Sequence, residues 1–217
     1  MATSPLVAVD VVIFTIDAGE LKALLVEVNS GPLAGCWAFP GGLVPVGEAP
    51  EATATRELLA QTGIRDLYLE QLRTFGDPGR DPHAHVVSVA YFALAPSKGR
   101  GPADNPKYRR MEWFPVRALP SLAYDHNAIA HYALTRLRAK LEYTNIVYHL
   151  LPQAFTLGEL QDIYEIILGR RLDRRNFRKK ILTLGLLRPL RRQRRGPHRP
   201  AQLYGFTRRE PMMIEML

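Results

Sequence analysis

Apolar residues form short β-type runs through the first 120 positions and take up helical spacing nearer the C-terminus. Residues 7–16 and 21–28 are rich in Val, Ile and Leu and flank Asp17-Ala18-Gly19-Glu20, the pattern of a hairpin. A short strand at 36–39 runs into Pro40-Gly41-Gly42. Residues 50–61 then predict a helix, with Pro50 in the tolerated first turn and Gly63 as its stop. Strands are predicted again at 67–75, 85–94 and 111–116, the last after a Gly/Pro-rich loop at 97–107. A helix over 125–143 carries Ile129, Ala133, Leu137 and Leu141 on one stripe.

Beyond Tyr143 the pattern changes. Thr156 and Glu159 form a capping box ahead of Leu157, Leu160, Tyr164, Ile167 and Leu168, and Gly169 ends that helix. A second helix starts near Asp173, buries Phe177, Ile181 and Leu184, and stops at Gly185. Two short strands, 186–190 and 201–206, flank an arginine-rich stretch at 191–200 with Gly196-Pro197 as its turn. Helix, turn, helix and a hairpin with a basic loop is the sequence form of a winged helix. The expected division is an effector-type domain at 1–146 and a winged helix-turn-helix at 147–217.

Charge sharpens that division. Residues 1–140 hold 14 basic and 14 acidic side chains, whereas 141–217 hold 15 and 7, so the net +8 of the chain lies in its last third. A solvated basic face is the simpler reading. Yet from 170 to 209 there are 15 basic residues against Asp173 alone, a density that repels itself without an anionic partner. On the second helix, Arg174, Arg175, Asn176, Arg178 and Lys179 surround the apolar stripe and suit a major groove, where Arg reads guanine and Asn reads adenine. Arg191, Arg192, Arg194, Arg195 and Arg199 would form a wing on phosphates or the minor groove.

A chain of 217 residues that is 47% hydrophobic is long and apolar enough for a packed core. Its one cysteine, Cys36, excludes an intramolecular disulfide framework and a cysteine zinc cluster. The longest apolar run, 6–16, is broken by Asp10 and is shorter than the ~20 residues a membrane span needs. No basic region opens the chain as a secretory signal would. The expectation is a soluble, cytoplasmic protein with no membrane partner.

The most specific local pattern lies between Gly42 and Ile64. Gly42 is followed by Glu48, then by Arg56-Glu57-Leu58, and Gly63-Ile64 closes the segment. With its lead-in Trp37-Ala38-Phe39-Pro40-Gly41, this resembles the Nudix box, and the resemblance implies a mixed sheet between helices in an α+β chain. The box works by holding divalent cations against a pyrophosphate, through three carboxylates at i, i+3 and i+4 on one helix face. Here that face reads Glu57, Ala60, Gln61: one carboxylate, a methyl group and a neutral amide. Glu48, Arg56 and Glu57 are the remnant of the box, and Glu57 is its one remaining metal ligand. Efficient hydrolysis is therefore not expected. No cofactor is required on this reading, and Mg²⁺ enters only alongside residual hydrolase activity.

Such a pocket can still bind. Phe39, Gly41, Gly42, Arg56, Glu57, Arg73, Arg80 and Asp81 are candidate effector-binding residues, the arginines for phosphate oxygens and the glycines for close backbone approach. Arg56 has a second reading as an ion-pair partner within the helix. Asp81, His83 and His85 read as a polar rim rather than a metal site.

A Nudix-like domain followed by a winged helix resembles the NrtR family of Nudix-related transcriptional regulators. The stretches at 172–180, 200–206, 122–126 and 141–144 look like family segments. The resemblance implies a dimeric repressor of NAD-metabolism genes that binds double-stranded operator DNA and responds to ADP-ribose or a related nucleotide. The alternatives are an active Nudix pyrophosphatase with a nucleic-acid-binding accessory domain, and an RNA-binding module. Ala60 and Gln61 stand against the first; the lack of aromatic clusters in the basic segment stands against the second.

Overall fold

The computed structural model describes residues 4–63, 65, 67–96, 107–194 and 200–215. Two compact units divide the chain: Met1–Thr15 with Leu21–Thr135, and Ile16–Glu20 with Arg136–Leu217. The longer stretch of the second unit begins at Arg136, inside the helix that the sequence pattern predicts over 125–143.

The N-terminal unit is built on a mixed sheet. Its path is β3 (Trp37–Ala38), β2 (Glu20–Val28), β1 (Leu6–Asp17), β6 (Val86–Leu94) and β5 (Tyr68–Phe75). β4 (Gly41–Leu43) pairs antiparallel with β1, and β7 (Tyr108–Pro115) pairs antiparallel with β2. β1 and β6 run parallel, with Asp10 opposite Ala90. At the β1–β2 turn, Ala18 and Gly19 both take positive φ (50° and 77°), as a tight hairpin requires.

Because side chains alternate along a strand, β1 presents different residues to its two faces. Val9, Val11 and Ile13 join Leu24, Tyr91 and Ala93 in a core closed by Ala54 and Leu58. Those last two belong to α1 (Pro50–Thr62), which begins with proline in its first turn and ends where Gly63 turns left-handed (φ 65°) and donates to the Leu59 carbonyl. The opposite face of β1 carries Asp10, which meets His126 at the start of α2 (His126–Tyr143). The stripe of Ile129, Ala133, Leu137 and Leu141 is fully buried, as its spacing predicts. β7 begins three residues before the expected 111. The loop expected at 97–107 lies outside the described residues except for Lys107.

The C-terminal unit is a winged helix. α3 (Leu157–Leu168) starts at the Thr156/Glu159 capping box and ends at Gly169 in the left-handed conformation (φ 70°). In the turn that follows, Glu165 accepts the Leu172 amide and pairs with Arg171. α4 (Arg174–Thr183) is capped by the Asp173 carboxylate, which accepts the Asn176 amide at 2.7 Å. Phe177 and Ile181 pack inward, Phe177 edge-on to Tyr164, while Leu184 is only half-buried. β8 (Leu187–Arg194) and β9 (Ala201–Phe206) pair antiparallel, and Phe155 adds a bridge to Tyr204. β8 extends four residues beyond the expected 190, because pairing of Gln193 and Arg194 with Gln202 and Ala201 satisfies backbone that the side chains alone would not order. Among the described residues no helix is long and apolar enough to cross a membrane.

Candidate functional site

The N-terminal unit contains a cavity of about 460 Å³ beside β1 and the Gly41-Gly42 turn. That is within the roughly 300–1,000 Å³ typical of small-molecule sites. Phe39, Gly41, Gly42, Arg80 and Asp81, all expected at the site, line it. Asp10, Lys107, Tyr108, Tyr124 and His126, which were not expected, line it too.

Its floor is a buried charge network. Asp10 accepts the Ser88 hydroxyl at 2.6 Å, meets Arg80 Nη2 at 3.2 Å and lies 3.3 Å from His126 Nε2. Arg80 also holds Asp125 through Nε and through Nη2, the latter at 2.7 Å. The Phe39 amide donates to His126 Nδ1, which orients Nε2 toward Asp10. Burial alone would raise the Asp10 pKa. His126, Ser88 and Arg80 outweigh it and hold the carboxyl at about 2. The Arg80 guanidinium is thus committed to two carboxylates under the cavity, with 3% of its side chain exposed. Tyr124, also at the cavity wall, has a positive φ of 56°, a left-handed conformation that costs a non-glycine residue about 1 kcal/mol. Its ring is half-exposed and lies 5.2 Å from that of His126.

The glycine turn is strapped to the sheet. The Tyr108 hydroxyl accepts the Gly41 amide at 3.2 Å and donates to the Gly41 carbonyl at 3.1 Å. A methyl group on Gly41 would sit 2.2 Å from the Val9 carbonyl oxygen, so only glycine fits there.

Arg56 makes a two-toothed pair with Glu48 (3.2 and 3.1 Å) and reaches Glu57 at 3.1 Å, the ion-pair arrangement of the second reading. The other Glu57 oxygen holds Lys107 Nζ at 2.9 Å. Arg73 lies away from the cavity, its guanidinium over the rings of Phe75 (4.4 Å) and Tyr132 (4.8 Å). Asp10 is marked in the sequence as an acid inside an apolar strand, and Tyr124 and His126 fall in the 122–126 stretch that resembles the family, without a site role attached to them. Lys107, at the edge of a glycine- and proline-rich loop, has no periodic signal.

In the C-terminal unit, Arg175, Asn176 and Lys179 are exposed on α4 away from Phe177 and Ile181, Arg174 is exposed at its first turn, and Arg178 is half-buried. Arg191, Arg192 and Arg194 are exposed on β8, and Arg194 also pairs with the capping-box Glu159. Arg195 and Arg199 lie outside the described residues.

Residues 5–137 match the NUDIX domain, and 147–206 match the NrtR DNA-binding winged helix domain. The ADPR responsive transcriptional repressor NtrR of Acinetobacter baylyi is 38% identical over 221 residues, spanning 98% of this chain and 88% of that protein. The chain belongs to the NrtR family. The crystal structure of Shewanella oneidensis NrtR complexed with a 27mer DNA matches with a TM-score of 0.81 at 32% identity, over 93% of each chain. The NUDIX domain of that NrtR, in a cocrystal structure with ADP ribose, matches with a TM-score of 0.56 at 33% identity, over 63% of this chain and 90% of that one.

Nudix domains imply a divalent ion, but the donors at this box do not fit one. Glu57 already holds two cations, Ala60 has no donor atom, and Gln61 is a neutral amide whose polar atoms are buried without a hydrogen-bond partner. Glu48 and Glu57 are balanced by Arg56 and Lys107, so a dication would enter with its charge uncompensated. Among the described residues no three His, Cys, Asp or Glu side chains are placed to share a metal.

Proposed function

We propose that this protein is a DNA-binding transcriptional repressor of NAD-metabolism genes. Its N-terminal domain binds ADP-ribose or a related NAD-derived nucleotide without hydrolysing it, and no metal cofactor is required. Its winged helix binds double-stranded operator DNA as part of a homodimer in the cytoplasm, with the domains meeting near residue 146. The exposed Arg174, Arg175, Asn176 and Lys179 face of α4 carries this reading. Phe177 and Ile181 anchor the helix from the side opposite Arg175 and Lys179, so these two and Asn176 are held outward and free to enter a groove, with Arg174 exposed at the first turn. The hydrolase alternative lacks a donor set at Glu57, Ala60 and Gln61.

Effector binding alters DNA affinity only if it favours one conformation over another. The test is a titration of the gene's own upstream duplex and a random duplex of equal length, at several salt concentrations, with and without ADP-ribose. The expected result is preference for the upstream duplex, a steep salt dependence, and a shift in affinity on adding ADP-ribose. Equal affinity for both duplexes would overturn the regulator assignment.

A further inference from the structure

We propose that Lys107 is the resident cation of the Nudix box: its ammonium, seated between the Gly41 carbonyl and the Glu57 carboxylate, meets the effector's pyrophosphate in place of a divalent ion. This rests on the effector reading above. Lys107 Nζ lies 2.5 Å from the Gly41 oxygen and 2.9 Å from Glu57 Oε2, a backbone carbonyl and a carboxylate of the kind that hard cations take. It sits where a glycine makes room, since a methyl group on Gly42 would come within 3.0 Å of Nζ and 3.5 Å of Glu57 Oε1. The Tyr108 strap fixes the Gly41 peptide, so the carbonyl that receives the ammonium is held in place.

The position suits a ligand contact as well as an ion pair. Lys107 lines the cavity with 43% of its side chain exposed, whereas the Arg80 side chain is 3% exposed and gives Nε and Nη2 to Asp10 and Asp125. A pyrophosphate entering the cavity would therefore meet an exposed ammonium held in place by Glu57 and the Gly41 carbonyl. That arrangement costs no metal recruitment and leaves the box unable to polarise a phosphorus centre as a dication would. It gives the two missing carboxylates a physical sense. Glu57 suffices to seat Lys107 beside Arg56, and further acids at 60 and 61 would repel the ligand.

The experiment is calorimetric titration of the full-length protein with ADP-ribose and, separately, with inorganic pyrophosphate, each in EDTA and in Mg²⁺. The wild-type protein is expected to bind ADP-ribose equally well in both buffers. Lys107→Met should weaken both ligands about tenfold or more, as loss of a charge-assisted hydrogen bond does, and Lys107→Arg should retain most of the affinity. Wild-type binding that needs Mg²⁺, or Lys107→Met binding as tightly as wild type, overturns the inference. Should ADP-ribose fail to bind while pyrophosphate binds in a Lys107-dependent, Mg²⁺-independent way, the effector assignment falls and the resident-cation role stands. Failure of both ligands to bind overturns both.

Discussion

The two units treat charge in opposite ways. In the N-terminal unit Arg80, Asp10, Asp125 and His126 are drawn under the cavity and paired with one another. In the C-terminal unit Arg174, Arg175, Lys179, Arg191 and Arg192 stand outside a core of Tyr164, Phe177 and Ile181. A small-molecule site needs groups held in one geometry, and burial with mutual pairing provides that. A polyanion site gains from releasing counterions, and exposed arginines provide that. The same residue type therefore does different work according to whether its charge is already satisfied.

The largest effect should come from breaking the buried side of this contrast. Arg80→Met leaves Asp10 and Asp125 facing each other without their cation. It should destabilise the N-terminal unit by about 3–5 kcal/mol, read as a lowered midpoint in denaturant unfolding. A change below 1 kcal/mol would show that the network behaves like a surface pair. On the exposed side, Arg175→Ala or Asn176→Ala should reduce discrimination between operator and mismatched duplexes by about 1–3 kcal/mol. The Arg191→Ala, Arg192→Ala pair should instead weaken all duplexes alike and flatten the salt slope by about two. If helix and wing substitutions gave the same pattern, the division of labour between α4 and β8 would be wrong.

A smaller effect separates the units by pH. Burial, with Arg209 nearby, lowers the His149 pKa from 6.5 to about 4, so the folded state favours the neutral ring. Its stabilising contribution is complete above pH 6.5 and is lost as pH falls toward 4. Asp10 is lowered from 3.8 to about 2, so its contribution persists until pH drops below 3.8. The backbone amide of Leu172, with Gln161 and Arg171, likewise lowers Glu165 from 4.5 to about 2. On acidification the C-terminal unit should therefore loosen first. Hydrogen exchange followed from neutral pH to about pH 5 checks this; equal loosening of both units in that window would remove the distinction. The smallest effect concerns the altered box. Gln61 buries its amide without a hydrogen-bond partner, so Gln61→Leu should be neutral or stabilising by up to about 1 kcal/mol in thermal unfolding.

Much of this was legible in the residues themselves because the signals are local. The Thr156/Glu159 capping box, the Gly63 and Gly169 stops and the α2 stripe each depend on neighbours within a few positions. So do the loss of acids at 60 and 61 and the inward Phe177 and Ile181. The cavity was only half legible. Phe39, Gly41 and Gly42 come from one segment, but their working partners lie 66 to 87 positions away, as Lys107 and Tyr108 do from Gly41 and His126 from Phe39. Arg73 shows the converse: its charge suits a phosphate, yet the pleat of β5 carries it to the rings of Phe75 and Tyr132.

The sequence by itself determined two domains of different charge, a Nudix-type box short of two acids, and a basic helix with one apolar stripe. Period, capping and composition are properties of the chain read in order. Only the tertiary structure decided which charges are already paired. Arg80 is turned inward to Asp10 and Asp125, and Lys107 is set on Glu57 and Gly41. Whether a cation is spent on its own protein or available to a ligand depends on distances across the sheet, and linear spacing does not encode them.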